Sequence, residues 1–179
     1  MVMGSCCTAG NDNNAQNCQK SDSSVVVNTI MTRRSVRKYK PEPVRRDQME
    51  QIVKCGINAP SGMNLQPWAV RVVDNPEFLN GCTELWKQSL SAEQAERMAS
   101  GPDFRNMFRN APTVVFIAAP DGSGQLDCGL LGENMILAAW SMGIGSCCLG
   151  GPIGFLRSDA AAQYREQLKL PDGYSLLYA

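Results

Sequence analysis

Met49, Ile52, Val53, Gly56 and Ile57 recur at the spacing of one helical face, and the pattern predicts an amphipathic helix from Asp47 that Pro60 stops. Residues 68–73, WAVRVV, are short and β-branched and predict a strand. Pro76 opens a second helix, with Phe78, Leu79, Cys82, Leu85 and Trp86 on one stripe. Residues 91–110 are polar and hold methionines, the pattern of a mobile helical excursion. TVVFIAA (113–119) predicts a buried strand, and 126–142 is apolar nearly all round, as a central helix would be. GIGSCCLGGP (143–152) carries enough glycine to predict a short extended piece of close-packed backbone. Ser158 is placed to cap a last helix with Tyr164 and Leu168 inward, and SLLYA (175–179) reads as the start of a strand. Helices separated by short strands, without an internal repeat, give an α/β or α+β domain.

Residues 4–24 break this pattern. They are rich in Gly, Asn, Ser, Gln and Asp and almost without aliphatic side chains, so they cannot offset their ordering entropy by burial. A disordered polar tether over 1–24 and one folded domain over 25–179 are therefore expected. No charged segment followed by an apolar one makes an intact secretory signal, which points to the cytoplasm. The alternative is a membrane-anchored bacterial lipoprotein whose signal peptide has been removed, since the tether begins near Cys6. Met3-Gly4-Ser5-Cys6-Cys7-Thr8 also fits a myristoylation pattern, although Met3 is not the first residue. An inert tail is the plain reading. Apolar runs such as VVFIAA (114–119) are far too short to span a bilayer.

Composition removes several kinds of chemistry. The chain has 17 Lys and Arg against 17 Asp and Glu, a balance that speaks against nucleic acid as a partner. It has no histidine, and so lacks the commonest general base and the usual zinc ligand. An enzyme of this composition would let a cofactor carry the chemistry, without a catalytic side chain of its own. The eight cysteines include no Cys-x-x-Cys, and adjacent pairs suit tetrahedral chelation poorly. Cys55 and Cys82 fall on apolar helical faces, where a buried thiol acts as a small hydrophobe.

Three segments stand out. TRRSVRKY (32–39) opens a run in which Arg33, Arg34, Arg37, Lys38, Lys40, Arg45 and Arg46 face one acid, Glu42. Guanidinium groups flanking the Ser35 hydroxyl suit a phosphate, and helical spacing would put Arg33 and Arg37 on one face. A solvated basic face is the plain alternative. APSGMNLQPW (59–68) is either an ordinary Pro/Gly turn or a polar grip made of free backbone N–H groups with the Ser61 and Asn64 side chains. GIGSCCLGGP lacks both the G-x-G-x-x-G and P-loop spacings, so its glycines serve either close approach to a flat ligand or tight helix–strand packing.

In this order and spacing, TRRSVRKY, APSGMNLQPW and GENMILAAWSMGIGSCCLGG (132–151) resemble the FMN-dependent nitroreductase family over roughly residues 25–178. The resemblance implies an α+β sandwich, with a central, mainly antiparallel sheet flanked by helices, assembled as an intertwined homodimer with FMN at each end of the interface. It implies that Arg33, Arg34 and Ser35 hold the FMN phosphate and ribityl chain, and that Arg37 lies near the pyrimidine edge of the flavin. Pro60, Ser61, Gly62 and Asn64 would come from the partner subunit. Cys148, Leu149, Gly150 and Gly151 would lie over the ring, with the Gly150 N–H reaching N5. The implied activity is ping-pong reduction of a small-molecule acceptor, a nitroaromatic, a quinone or a similar electrophile, by NADH or NADPH. Alternatives are a different acceptor (an enone, a halogenated aromatic, a peptide-derived ring) or an FMN-binding dimer without turnover. The family usually continues past a strand like SLLYA into a basic tail that helps hold the phosphate. Its absence here leads to the expectation that a C-terminal tail is missing from the sequence.

Overall fold

A computed structural model describes residues 23–99 and 106–179. The chain divides into two compact units, the first ending at Arg33 and the second running from Arg34 to Ala179. In the first unit, Ser23–Thr32 form helix α1, whose Thr29 and Thr32 hydroxyls donate to the Val25 and Asn28 carbonyls at 2.8 and 2.7 Å. No helix was expected here, because three consecutive β-branched valines carry no helical period. The side chains of Val25, Val26, Val27, Ile30 and Met31 are all exposed. The polar tether lies outside the described residues except for Ser23 and Ser24, which open α1.

The second unit contains α2 (Arg46–Ile57), β1 (Ala69–Val73), α3 (Pro76–Gln88), α4 (Ala92–Ala99), β2 (Val114–Pro120), α5 (Gln125–Ser141), α6 (Gly151–Leu156), α7 (Ala162–Gln167) and β3 (Tyr174–Tyr178). The strongly periodic elements lie where their patterns predict. Pro76 starts α3 behind Asn75, whose Oδ1 accepts from the Glu77 and Phe78 N–H groups at 2.8 and 3.4 Å. Two expectations fail. The glycine run is not extended throughout, since its last residues turn into α6. Ser158 precedes a 3₁₀ turn at Asp159–Ala161 without capping it through its side chain, and its hydroxyl instead donates back to the Phe155 carbonyl at 2.7 Å.

The three strands form one antiparallel sheet in the order β1-β2-β3, with Arg71 opposite Phe116 and Ile117 opposite Tyr178. A register irregularity falls between Ile117 and Ala118. Central strand β2 sends alternate residues to opposite faces, and each face has its own core. Val114, Phe116 and Ala118 pack with Phe78, Leu79, Cys82, Phe108, Leu156 and Leu168, against α3, α6 and α7. Val115, Ile117 and Ala119 pack with Ile52, Leu131, Met135 and Ala139, against α2 and α5. The result is the expected α+β sandwich, a sheet between two helical layers. Cys82 is fully buried in the first core, whereas Cys55 is half-buried, and the apolar face assigned to it is in fact a rim. Among the described residues, no helix is long and apolar enough to cross a membrane.

Candidate functional site

The basic segment meets the glycine run directly. Ser35 and Ser146 form an isolated parallel bridge, and the Val36 N–H donates to the Ser146 carbonyl at 2.9 Å. Gly145 makes the approach feasible, because a Cβ there would lie 2.7 Å from Val36 Cγ2. Segments about 110 residues apart in sequence thus share one seam. This seam is not helical. α1 ends at Thr32, so Arg33 and Arg37 do not share a helical face as their spacing suggested. An extended chain serves better, since it frees backbone groups to pair with the glycine run.

Along the seam, Arg34, Ser35 and Arg37 are exposed, and one Arg37 guanidinium nitrogen donates to the Ser35 carbonyl at 3.4 Å. Tyr39 is half-buried, and its hydroxyl donates to the Val36 carbonyl. Burial pushes the Tyr39 phenol up to about 12, the Cys147 thiol adds to the rise, and the Arg37 and Arg109 guanidiniums oppose it. Arg33, the last residue of the first unit, is half-exposed, and its N–H donates to the Thr29 carbonyl at 3.0 Å.

Beyond Ser146, Cys147 donates weakly to the Cys148 carbonyl at 3.7 Å. Cys148 is exposed, yet neighbouring atoms withdraw enough water from its thiol to raise its pKa, and Cys147 adds to the shift. Leu149 exchanges two backbone hydrogen bonds with Ala179, 2.6 Å from its N–H and 3.0 Å to its carbonyl. Gly150 and Gly151 are exposed, and a Cβ built on either meets nothing within 4 Å. Bare backbone facing open space, beside exposed guanidiniums and a serine hydroxyl, is a donor set that fits a flat ring carrying a phosphate.

APSGMNLQPW is anchored at the other end of α5. The Gly62 N–H donates to Asp127 Oδ1 at 3.1 Å, in the first turn of α5, whereas Ser146 follows that helix's last turn. At 1.5 Å per residue, the helix between these anchors is about 20 Å long. The Ser61 hydroxyl oxygen accepts from the Gln66 N–H at 2.9 Å, and the loop holds Met63, Asn64 and Gln66 at φ of 51°, 55° and 49°. Three left-handed residues without a glycine among them make a strained loop. Pro60, Gly62 and Asn64 are exposed and Ser61 is half-buried; the exposed Met63 and Leu65 side chains also project from the loop. The structure therefore joins Ser35 to the segment carrying Cys148–Gly151 and holds Pro60–Asn64 apart from both.

Ser146, Tyr39 and Arg109 were not singled out from the sequence. Tyr39 lay within a quoted motif, but Arg109, whose charge acts on the Tyr39 phenol, carries no local signal. A separate groove of about 410 Å³ between α2 and α5 is lined by Gln51, Lys54, Cys55, Asn58, Asn134 and Leu137, and none of the expected contact residues lines it.

The sequence profile of the nitroreductase family matches residues 30–179. A protein of Archaeoglobus fulgidus whose name carries NADH dehydrogenase and NAD(P)H nitroreductase is 31% identical over 150 residues, covering 80% of this chain and 75% of that protein. The NADPH-flavin oxidoreductase of Vibrio harveyi is 30% identical over 154 residues, covering 85% of this chain but 62% of its own length. Among solved structures, the nitroreductase with bound FMN from Bacteroides fragilis superposes with a TM-score of 0.73 at 28% identity, covering 86% of this chain and 84% of that one. The FMN-bound nitroreductase of Desulfitobacterium hafniense gives 0.74 at 27%, with 86% and 85% covered.

Proposed function

The chain belongs to the nitroreductase family, and on that premise we propose that it is an FMN-dependent oxidoreductase that passes electrons from NADH or NADPH to a small oxidised acceptor, a nitroaromatic or a quinone. The observation that supports this reading is the seam between Ser35 and Ser146, which joins the segment carrying Arg34 and Arg37 to the one that continues into Gly150 and Gly151. When bound, FMN supplies a two-electron carrier that accepts a hydride from a nicotinamide and returns it to the acceptor.

The remaining work belongs to the protein. Arg33, Arg34 and the Ser35 hydroxyl hold the phosphate, through charge-assisted contacts worth about 1.5–3 kcal/mol each. Arg37 would stabilise negative charge on the pyrimidine side of the ring, and the Gly150 N–H would supply a hydrogen-bond donor to it. Gly150 and Gly151, lacking side chains, leave one ring face open for reductant and acceptor in turn. No side chain is required as acid or base, which accords with a chain free of histidine.

Pro60, Ser61, Gly62 and Asn64 belong to the same site in a homodimer, supplied by the partner subunit. Their anchoring about 20 Å of helix away from the seam supports this assignment. So do the apolar side chains left in solvent, Val26, Met31, Met63, Leu65 and Leu126, each more than 60% exposed. The deciding experiment is anaerobic. NADH or NADPH should bleach the yellow of the purified, FMN-loaded protein, and a nitroarene or quinone should restore the colour. Colour that persists with both dinucleotides overturns the reading.

A further inference from the structure

Val36 stands between Ser35 and Arg37, and the backbone on each side of it is pinned. A peptide unit is planar, so a hydrogen bond to its N–H or to its carbonyl fixes the whole plane. In the Ser35–Val36 peptide, the N–H donates to the Ser146 carbonyl at 2.9 Å, and the carbonyl accepts from an Arg37 guanidinium nitrogen at 3.4 Å. The Val36–Arg37 peptide is held through its carbonyl, which accepts from the Tyr39 hydroxyl. The Val36 side chain is fixed as well. It lies so close to Gly145 that a Cβ there would come within 2.7 Å of Val36 Cγ2.

Tyr39 supplies a restraint that secondary structure supplies elsewhere. Among the described residues, none forms a main-chain to main-chain hydrogen bond with Arg37, Lys38 or Tyr39, so neither a helix nor a strand orients this stretch. Instead the phenol reaches back three residues and closes a turn through its side chain. Its body is half-buried, whereas Arg37 and Lys38 are exposed. An exposed arginine samples many rotamers, and the direction in which they fan out is set by the peptide plane at its base. The Val36 carbonyl belongs to that plane. The Tyr39 hydroxyl therefore governs where the Arg37 guanidinium is offered, as Ser146 governs Ser35 through the Val36 N–H.

We propose that Tyr39 is a positioning residue, whose hydroxyl sets the Val36–Arg37 peptide so that the Arg37 guanidinium is held against the pyrimidine side of FMN. The proposal rests on the reading that FMN binds along this seam. Tyr39 acts through Arg37, and its effect is therefore read in the two-electron midpoint potential of the bound flavin, because a well-placed cation favours the reduced form. Tyr39→Phe keeps the ring and removes only the hydroxyl. In that variant the preference for reduced over oxidised FMN should fall about fivefold, a move of the midpoint to more negative values by about 20 mV, measured anaerobically against a reference dye. Arg37→Ala should lower the potential further, and adding Tyr39→Phe to it should lower it no more. A hydroxyl that merely satisfies the Val36 carbonyl would lower the thermal midpoint and leave the potential in place, which overturns the assignment. An equal shift from Tyr39→Phe with and without Arg37 also overturns it. Flavin fluorescence separates this failure from that of the parent reading. Wild-type protein that takes up no FMN ends both, whereas FMN bound at an unchanged potential in Tyr39→Phe ends the role of Tyr39 alone.

Discussion

Gly145 and Gly150 stand five residues apart on one stretch of chain, and a methyl group added to each meets opposite surroundings. At Gly145 it would strike Val36 at 2.7 Å; at Gly150 it would reach nothing within 4 Å. The first glycine closes a seam and the second borders open space, so composition alone cannot tell a glycine that packing requires from one that packing does not. The contrast recurs across the molecule. The sheet and its two cores are closed, with Phe108, Phe116, Leu131 and Leu156 at 0% exposure. The loop at 60–66, by contrast, holds strained backbone with Met63 at 89%.

The largest expected effect comes from filling the open side. Gly150→Val should leave the thermal midpoint unchanged and lower turnover of the FMN-loaded protein by about 100-fold, because a side chain would obstruct the ring face that reductant and acceptor must reach. Unaltered turnover would show that the space serves something else. Closing the seam further is the intermediate case. Gly145→Ala should cost about 1–3 kcal/mol of stability as Val36 and Ser146 are pushed apart, with weaker FMN retention following from the displaced Ser35. Urea unfolding and flavin fluorescence measure the two together; loss of stability with unchanged retention would separate the seam from the site.

The smallest effect tests the closed interior. Burial pushes the Cys82 thiol up to about 12 and the Cys128 thiol to about 11, from an ordinary 9.0. In the unfolded chain these thiols lose protons near 9, while the folded protein retains them. Their contribution is fully present below pH 9 and is lost as pH rises from there through 11 to 12. The urea midpoint should fall over that range, and a Cys82→Ala, Cys128→Ala protein should show a shallower fall.

Much of the fold was legible because periodicity reports burial. β2 alternates between two cores, the stripe of α3 faces one of them, and α5 sends Leu131, Met135 and Ala139 into the other while Leu126 and Leu130 stay exposed. α1 and α6 were not legible. The valines of α1 face solvent, and α6 begins among glycines that promise no helix. Of the candidate site, the cations and the glycine run could be read as separate strings. Their meeting could not, since the Ser35–Ser146 register depends on a missing side chain at Gly145. The left-handed turn at Arg109 was harder still, because it is held by hydrogen bonds between Asn106 and Asn110 that no local pattern announces.

The order of strands carries a consequence for assembly. β3 follows β2 by a long connection yet contributes to both cores, Leu176 entering one and Leu177 and Tyr178 packing on the other. Its partner β2 ends more than fifty residues earlier, so this pairing must close a long loop. On the ribosome, the apolar edge of β2 must therefore wait, unpaired, until residues 174–178 have emerged. Until β3 pairs, a chaperone would find its binding surface at Ile117 and Ala118.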